Sequence, residues 1–290
     1  MRFLNPKTDF AFKKIFGSRQ SKDVLISFLN ALLYKGQPMI EDLEIIDPYQ
    51  APQLKGMKDT FLDVKAAIKG DKTVIIEMQV LNLVGFEKRI LYNAAKSFST
   101  QLDSGEDYTK LSPVIALTIT DFDMFPESSQ VISRYIMQER DHLTTYSDDI
   151  ELVFVELPKF IKSLDELTTV TDRWIYFLKR AESLKMIPEA WQGTPALEKA
   201  FQIAELSNLS REELDVFERK QRYLQDNRNA VLKGVEQGIE QGVEQGIEQG
   251  IEQGERQKAE EIARALLDVL DVETISQKTG LSTDQISALR

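Results

Sequence analysis

The chain has 290 residues, of which 42% are hydrophobic, and a formal net charge of −11 at pH 7. With no cysteine and one histidine, His142, which we expect at the surface, it gives no support to thiolate zinc sites, cysteine nucleophiles or Ser-His-Asp catalysis. Because no apolar run approaches the length of a membrane span, we expect a cytoplasmic protein without a membrane partner.

The order of the predicted elements indicates an α/β (α+β) fold with a mixed sheet. Apolar periodicity predicts a helix, a hairpin, a second helix and two further strands, at residues 21–34, 61–80, 86–102, 113–120 and 151–157. From Asp172 onward the pattern is helical. This length and order allow one sizeable core of helices packed on a sheet, followed by a helical C-terminal region.

The predicted hairpin at residues 61–80 gathers polar side chains on one of its faces. The even-numbered residues of each strand are apolar, so strand alternation places the polar residues on the opposite face. These polar residues are Asp63, Lys65, Glu77 and Gln79. A two-residue loop would separate Asp63 from Glu77, whereas a three-residue loop at 69–71, or a bulge with Gly70 at positive φ, sets them directly opposite each other. We predict this odd register.

A pair of carboxylates at this separation predicts a metal site. The second strand is apolar on nearly both sides, as in the centre of a sheet, where lone carboxylates are costly to bury. Asp63 and Glu77 would repel each other unless a cation lies between them, and hard divalent ions favour oxygen ligands. The sequence therefore predicts Mg²⁺ or Mn²⁺ as the cofactor, although an ordinary half-buried hairpin would show the same alternation.

Four stretches of the chain, in this order, resemble the Rpn family of recombination-promoting nucleases, which also carries the description transposase. They are residues 5–17, Asp63, Glu77-Met78-Gln79 with the helix that carries Arg89 and Tyr92, and residues 108–115. The resemblance covers roughly the first half of the chain. It implies a PD-(D/E)XK nuclease with a restriction-endonuclease-like core, in which helices flank a mixed central sheet.

The resemblance implies a divalent-metal-dependent DNA endonuclease that hydrolyses phosphodiester bonds and promotes DNA recombination, with DNA rather than a small molecule as its substrate. Its catalytic residues would be Asp63, Glu77 and Gln79, with the two carboxylates as metal ligands and the Met78 carbonyl as a candidate third ligand. Gln79 stands where the commoner motif has lysine. Since glutamine is not a base, its role would be to orient the attacking water by hydrogen bonds.

Four further residues are predicted to contact DNA phosphates: Lys65, Arg89, Tyr92 and Lys96. The predicted helix at 86–102 has an apolar stripe, which we expect to face the core, at Leu91, Ala95, Phe98 and Leu102. Arg89, Tyr92 and Lys96 fall on its other side, where a solvated face would show the same pattern. Lys65 shares the face of Asp63, and its alternative role is an ion pair with that carboxylate.

The net charge has the wrong sign for a nonspecific DNA coat. Lysines are nevertheless concentrated in the first half of the chain, at Lys7, Lys13, Lys14, Lys55, Lys58, Lys65, Lys69, Lys72, Lys88 and Lys96. We therefore expect weak, salt-sensitive DNA binding that depends on the metal. The rival interpretation is a nuclease-fold DNA-binding or assembly module whose site is inactive or autoinhibited.

The C-terminal part contains a four-residue repeat, Gly-Val/Ile-Glu-Gln, at residues 234–254. It is either a marginal helix or a flexible acidic linker, and we interpret it as a spacer. Residues 255–290 resemble a helix-turn-helix with a glycine turn at Gly280, but the supposed recognition helix, Ser282 to Arg290, has only one basic residue, so specific reading of a DNA groove is not expected. We expect this tail to mediate interaction or assembly, and the chain to form a homo-oligomer, a dimer. The predicted domains are 1–160, 161–233, 234–254 and 255–290.

Overall fold

The computed structural model describes residues 2–50, 60–69, 72–191 and 193–289. The chain divides into two compact units, Met1–Tyr223 and Leu224–Arg290. Lys55 and Lys58 of the predicted basic region, and Gly70 and Asp71 of the predicted turn, lie outside the described residues.

The first unit is built on a mixed sheet flanked by helices, as predicted. Its strands are β1 (Leu43–Ile46), β2 (Tyr49–Gln50), β3 (Thr60–Phe61), β4 (Val64–Ile68), β5 (Lys72–Gln79), β6 (Val114–Thr120), β7 (Ile132–Gln138) and β8 (Thr145–Glu156). Its helices are α1 (Asp9–Phe16), α2 (Lys22–Tyr34), α3 (Phe86–Ser99), α4 (Val170–Arg180), α5 (Pro195–Ala204) and the start of α6 (Arg211–Leu266). Six strands form the main sheet in the order β1-β4-β5-β6-β8-β7, and β2 pairs with β3.

The strands β4 and β5 pair in the predicted odd register. Val64 lies opposite Ile76 and Ile68 opposite Lys72, so three residues separate the two strands. The same register, continued by one pair, sets Asp63 opposite Glu77. β5 then runs parallel to β6, and α3 makes the connection between them, as is usual for parallel neighbours.

The two faces of the sheet carry separate apolar cores. Val74 and Ile76 of β5 belong to the large core, to which α1, α2, α4 and α5 contribute, whereas Ile75 belongs to a smaller core that includes Ala94 of α3. Every residue of β6 is buried, which is typical of a central parallel strand covered on both faces. The alternation of β5 therefore directs its odd-numbered residues, including Glu77, towards α3.

The helix α1 is fixed by its cap and by aromatic packing. The Thr8 hydroxyl accepts a hydrogen bond from the Ala11 N–H at 3.3 Å and so caps the helix. Phe12 and Phe16 pack against Phe28 of α2, with ring centroids 6.4 and 4.3 Å from it. Truncation of such a buried ring to alanine costs about 3–5 kcal/mol of stability. The polar side chains of α1 are therefore carried on a rigid support.

The helix α3 begins at Phe86 as predicted, but it turns a different face to the sheet. Leu91 of the predicted core stripe is 55% exposed. The buried residues of α3 are Phe86, Ile90, Asn93, Ala94, Lys96 and Ser97. The predicted stripe was therefore wrong at Leu91 and Ala95, although Phe98 does pack against the smaller core. The inward face of α3 is partly polar where it covers β5, so hydrophobicity alone selects the wrong residues.

Other elements match the prediction unevenly. The predicted helix at 21–34 and the buried strand at 113–120 are confirmed as α2 and β6. β8 begins earlier than predicted, at Thr145, because its first half pairs with the edge strand β7. The edge strand β7 was not predicted. Most of its residues are exposed and its apolar residues do not alternate with polar ones, so its sequence lacks the pattern of a half-buried strand.

The second unit contains the rest of α6, with α7 (Val272–Thr279) and α8 (Thr283–Ser287). The repeat at residues 234–254 is helical, in agreement with the first of its two interpretations, and its Val and Ile side chains are 55–62% exposed. Gly280 makes the predicted turn with φ 74°, and Ser282 and Gln285 form a capping box. Within the described part of the chain, none of the helices has the length and apolar character that a membrane span requires.

Candidate functional site

Asp63 and Glu77 lie at one end of the β4–β5 pair. Asp63 directly precedes β4, and its Oδ2 accepts a hydrogen bond from the Met78 N–H at 2.8 Å. Glu77 lies on β5, and its Oε1 accepts a hydrogen bond from Asn93 Nδ2 of α3 at 2.8 Å. The Asp63 and Glu77 side chains are only 17% and 12% exposed. Each carboxylate is thus held at one oxygen and largely withdrawn from water.

Burial raises the pKa of both carboxyl groups. For Asp63, the Met78 N–H and the Lys13 ammonium lower the pKa in turn, while the charge of Glu77 raises it further. For Glu77, the Arg89 charge and the Asn93 hydrogen bond act against the rise in pKa. The two carboxylates therefore repel each other when both are ionised, and a cation between them would relieve this repulsion.

One carboxylate oxygen of this pair remains available for a ligand. Glu77 Oε2 is buried and has no hydrogen-bond partner among the described residues, and the Arg89 guanidinium is 3.9 Å away. A buried acceptor without a partner is costly, and a divalent ion would satisfy it.

The described residues contain no group of three or more His, Cys, Asp or Glu side chains that could hold a metal ion. Two carboxylates alone still fit Mg²⁺ or Mn²⁺, because Mg²⁺ in particular is often bound by one or two carboxylates together with water and substrate phosphates. The predicted ligands Asp63 and Glu77 are therefore chemically suited to the predicted cofactor.

The predicted water-orienting residue, Gln79, is held at both ends of its amide. Its Nε2 donates to the Leu81 carbonyl at 2.8 Å, and its Oε1 accepts from the Arg89 guanidinium at 2.8 Å. The Arg89 guanidinium also lies 5.0 Å from the centroid of the Phe86 ring, within range of a cation–π interaction. The structure thus brings Arg89 next to both Gln79 and Glu77.

Lys96 occupies a different position from the one we predicted. It is 3% exposed, and its ammonium donates to the Gln50 carbonyl at 2.8 Å and lies 3.4 Å from Thr60 Oγ1. The predicted solvent-facing position was wrong because the charge serves buried acceptors on β2 and β3. Tyr92 remains on the exposed side of α3, with 37% of its surface accessible.

Lys65 shares the sheet face of Asp63, but within the described residues it makes no ion pair with that carboxylate. Burial lowers the pKa of Lys65, and the nearby charge of Asp47 raises it. The cation beside Asp63 is instead Lys13 of α1, whose Nζ is 3.4 Å from Asp63 Oδ1. The alternative role given to Lys65, an ion pair with Asp63, is thus filled by a residue from another element.

Sequence reasoning assigned no specific role to two residues that contact the carboxylates, Lys13 and Asn93, although Lys13 was among the lysines expected around the site. Asn93 lies on the face of α3 that hydrophobic periodicity assigned to solvent. Lys13 lies within the opening stretch at residues 5–17, which carried the family resemblance but gave no information on distance. The polar character of Asn93, placed three and seven residues after Ile90 and Phe86, was the available signal for a partly polar inward face.

Residues 6–234 match the family described as PD-(D/E)XK nuclease family transposase. This range contains Asp63, Glu77 and Gln79, and also Lys13 and Asn93. Comparison with curated proteins and with solved structures gave no match.

Proposed function

The chain belongs to the PD-(D/E)XK nuclease family transposases, and on that premise we propose that it is a divalent-metal-dependent DNA endonuclease centred on Asp63, Glu77 and Gln79. The observation that supports this proposal is the buried carboxylate pair, in which Glu77 Oε2 has no hydrogen-bond partner among the described residues. Burial of two carboxylates lowers the stability of the folded chain unless a cation or another partner binds them. Clustered carboxyl groups with raised pKa values are typical of functional sites.

Asp63 Oδ1 and Glu77 Oε2 are the oxygens that would hold Mg²⁺ or Mn²⁺. The other oxygen of each carboxylate already accepts a hydrogen bond, from the Met78 N–H and from Asn93. These two hydrogen bonds fix the orientation of the carboxylates before the ion arrives. When bound, the ion supplies Lewis acidity and a lower pKa for water at the site.

Hydrolysis of the phosphodiester forms a bond between a water oxygen and phosphorus and breaks the bond from phosphorus to one sugar oxygen. One proton of the water leaves with that sugar oxygen, and the other stays on the new phosphate or passes to solvent. Gln79 accepts neither proton, because an amide is not a base at neutral pH. We propose that its fixed amide orients the water, while Arg89 keeps the amide in place.

Binding of DNA would rely on a few cations near the carboxylates and on the metal, since the chain as a whole is acidic. Arg89 and Tyr92 are 44% and 37% accessible on one side of the site, and we propose that they contact the DNA backbone. We retain Lys65 as a weaker candidate, and assign Lys96 to a structural role because it is buried. A role in DNA recombination and assembly into a dimer also remain proposals.

The proposal is tested by incubating plasmid DNA with the full chain and Mg²⁺ or Mn²⁺, beside Asp63→Ala and Glu77→Ala. We expect each variant to lose cleavage by two orders of magnitude or more, on the order of the effect of removing a charge-stabilising group from a catalytic site. Asp23→Ala is the matched control, because Asp23 is an exposed carboxylate paired with Lys199 and should leave cleavage unchanged.

Gln79 and the acidic net charge favour one rival, a nuclease-fold binding or assembly module with an inactive or autoinhibited site. A truncation after Lys233 separates these cases. Cleavage by the truncated chain alone would indicate autoinhibition by the C-terminal part. Absence of cleavage by both forms under every divalent ion tested would contradict the endonuclease proposal.

A further inference from the structure

We propose that Lys13 is a further catalytic residue of this site, whose ammonium contacts the scissile phosphate and supplies the positive charge that Gln79 lacks. This inference rests on the proposed endonuclease function. It assigns to an N-terminal helix a role that the sequence motif on β5 leaves open.

The position of Lys13 next to Asp63 is the first observation. Its Nζ lies 3.4 Å from Asp63 Oδ1, the oxygen that does not accept the Met78 N–H. The Lys13 side chain is 42% exposed, so its ammonium is accessible to a ligand from solution. A phosphate that approached the ion held by Asp63 and Glu77 would therefore meet the Lys13 ammonium as well.

The support of Lys13 is the second observation. Lys13 follows Phe12 on α1, and this helix is anchored by the ring packing of Phe12 and Phe16 against α2. Asp9, one turn earlier, forms an ion pair with Lys13 and another with Lys220 at the start of α6. Asp9 thus acts as a positioning residue that keeps the Lys13 ammonium near the site.

The balance of charge around Lys13 shows how it would act. In the structure the ammonium lies between Asp9 and Asp63, and when Asp63 is engaged with its divalent ion, Lys13 loses part of that attraction. Asp9 still pairs with the Lys13 ammonium and keeps it near the site. The ammonium is then available to a phosphate oxygen, on which negative charge must be stabilised during hydrolysis.

Three other cations of the described structure, Arg89, Lys7 and Lys14, contact groups other than Asp63. Arg89 binds Gln79 Oε1 on the Glu77 side of the site, and Lys7 pairs with Asp121 at 2.7 Å. Lys14, the next residue on α1, points to a different partner, Glu213 of α6. Because successive residues of a helix are turned by about 100° from each other, Lys14 provides the same charge on the same helix without facing Asp63.

The test compares Lys13→Met, Lys13→Arg and the matched control Lys14→Met in the full chain. Two quantities are measured for each: the single-turnover rate of plasmid cleavage at saturating Mn²⁺, and the Mn²⁺ affinity by calorimetry without DNA. Thermal melting verifies that each variant is folded. The affinity reports on Asp63 and Glu77 even where no cleavage occurs.

We expect Lys13→Met to slow cleavage by about 100-fold, the lower end of the range for loss of one charge-stabilising donor. Its Mn²⁺ affinity should be unchanged or severalfold higher, because a competing cation has been removed. Lys13→Arg, which keeps the charge, should retain more activity than Lys13→Met even if the latter folds poorly. Lys14→Met should lie within about twofold of the unmodified chain in both quantities.

Cleavage by Lys13→Met at the rate of Lys14→Met would overturn the catalytic role of Lys13. Equal losses of Mn²⁺ affinity and of cleavage rate would also overturn it, because Lys13 would then act only by positioning Asp63. An unmodified chain that binds Mn²⁺ but leaves DNA intact would instead refute the endonuclease proposal itself. The two failures are therefore distinguishable.

Discussion

Asn93 of α3 donates a hydrogen bond from its Nδ2 to Glu77 Oε1 of β5 across 2.8 Å, and both side chains are largely buried. This contact joins the helix to the carboxylate whose Oε2 has no hydrogen-bond partner among the described residues. Because the Asn93 amide binds Oε1, the Glu77 carboxylate cannot rotate freely, and the position of Oε2 is fixed as well. The orientation of Glu77 therefore depends on α3, the helix that follows β5 in sequence.

Replacement of Asn93 should weaken metal binding without abolishing it. In Asn93→Ala the Glu77 carboxylate loses its hydrogen-bond donor, and we expect Mn²⁺ affinity to fall about 10–100-fold, as for other partners of metal ligands. Calorimetry with the metal alone measures this. Ser97→Ala is the control, since Ser97 is also buried on α3 but its hydroxyl has no hydrogen-bond partner among the described residues. Equal affinities of the two variants would contradict the role of Asn93.

The raised pKa values of Asp63 and Glu77 predict that metal-free protein loses stability as pH rises. Above the ordinary pKa values of 3.8 and 4.5, these groups stay protonated in the folded state to a greater extent than in the unfolded state. The unfolded state then binds fewer protons, so the free energy of unfolding contributed by the pair decreases with increasing pH through that window.

The comparison that isolates this effect is the double variant Asp63→Asn/Glu77→Gln against the unmodified chain in EDTA. We expect the double variant to have the higher Tm at pH 8, and the difference to shrink towards pH 4. Asp23→Asn should show the opposite trend, with the lower Tm at pH 8. Partial burial raises the pKa of Asp23, but the Lys199 contact outweighs burial and holds this pKa below its ordinary value. A difference that grows as pH falls would count against the burial of the pair.

Lys96 should affect stability rather than DNA affinity. In Lys96→Met the Gln50 carbonyl loses a charged donor, which we expect to cost about 1–3 kcal/mol of unfolding free energy.

In contrast, Arg89→Met should remove about one phosphate contact from the DNA complex. The slope of log K against log salt would then become shallower by roughly 0.9. Denaturant melts and salt titrations measure the two effects. A reduced salt slope in Lys96→Met would contradict the structural role and support the phosphate contact predicted from sequence.

The repeat helix should become more stable when its glycines are replaced. Outside the adjacent backbone of its own helix, a Cβ added at Gly242 or Gly246 would meet no described atom within 4 Å, and alanine is favoured over glycine in a helix interior by about 1 kcal/mol. The variant Gly242→Ala/Gly246→Ala should therefore show stronger helical circular dichroism at elevated temperature. Gly280→Ala should be destabilising instead, because Gly280 has φ 74°. No gain in the first variant would contradict the helical assignment of the repeat.

The placement of Asp63, Glu77 and Gln79 on one face of the sheet could be predicted from sequence because it depends on local rules. The alternation of β5 and an odd loop are enough to place Asp63 opposite Glu77, and the paired residues of β4 and β5 confirm that register. Gln79 follows from the same strand at the same spacing. These relations need no knowledge of the rest of the fold.

The surroundings of the site could not be predicted because they come from elements that meet only in the folded chain. Lys13 reaches Asp63 from α1, and Lys96 is drawn inward by a carbonyl of β2. Hydrophobic periodicity also misassigned the inward face of α3, since Asn93 is polar and yet faces β5. Contacts between residues far apart in sequence, and buried helix faces that are partly polar, are thus what could not be predicted here.

The central claim is that Asp63 and Glu77 hold one divalent ion that cleavage requires. The most direct test is the single-turnover rate of plasmid nicking in Mn²⁺ for Asp63→Asn, Glu77→Gln and the double variant. If the two carboxylates act as a unit, each single variant should fall to the same residual rate as the double variant, far below the unmodified chain. Either single variant cleaving at the unmodified rate, or an unmodified chain whose nicking persists in EDTA, would contradict it.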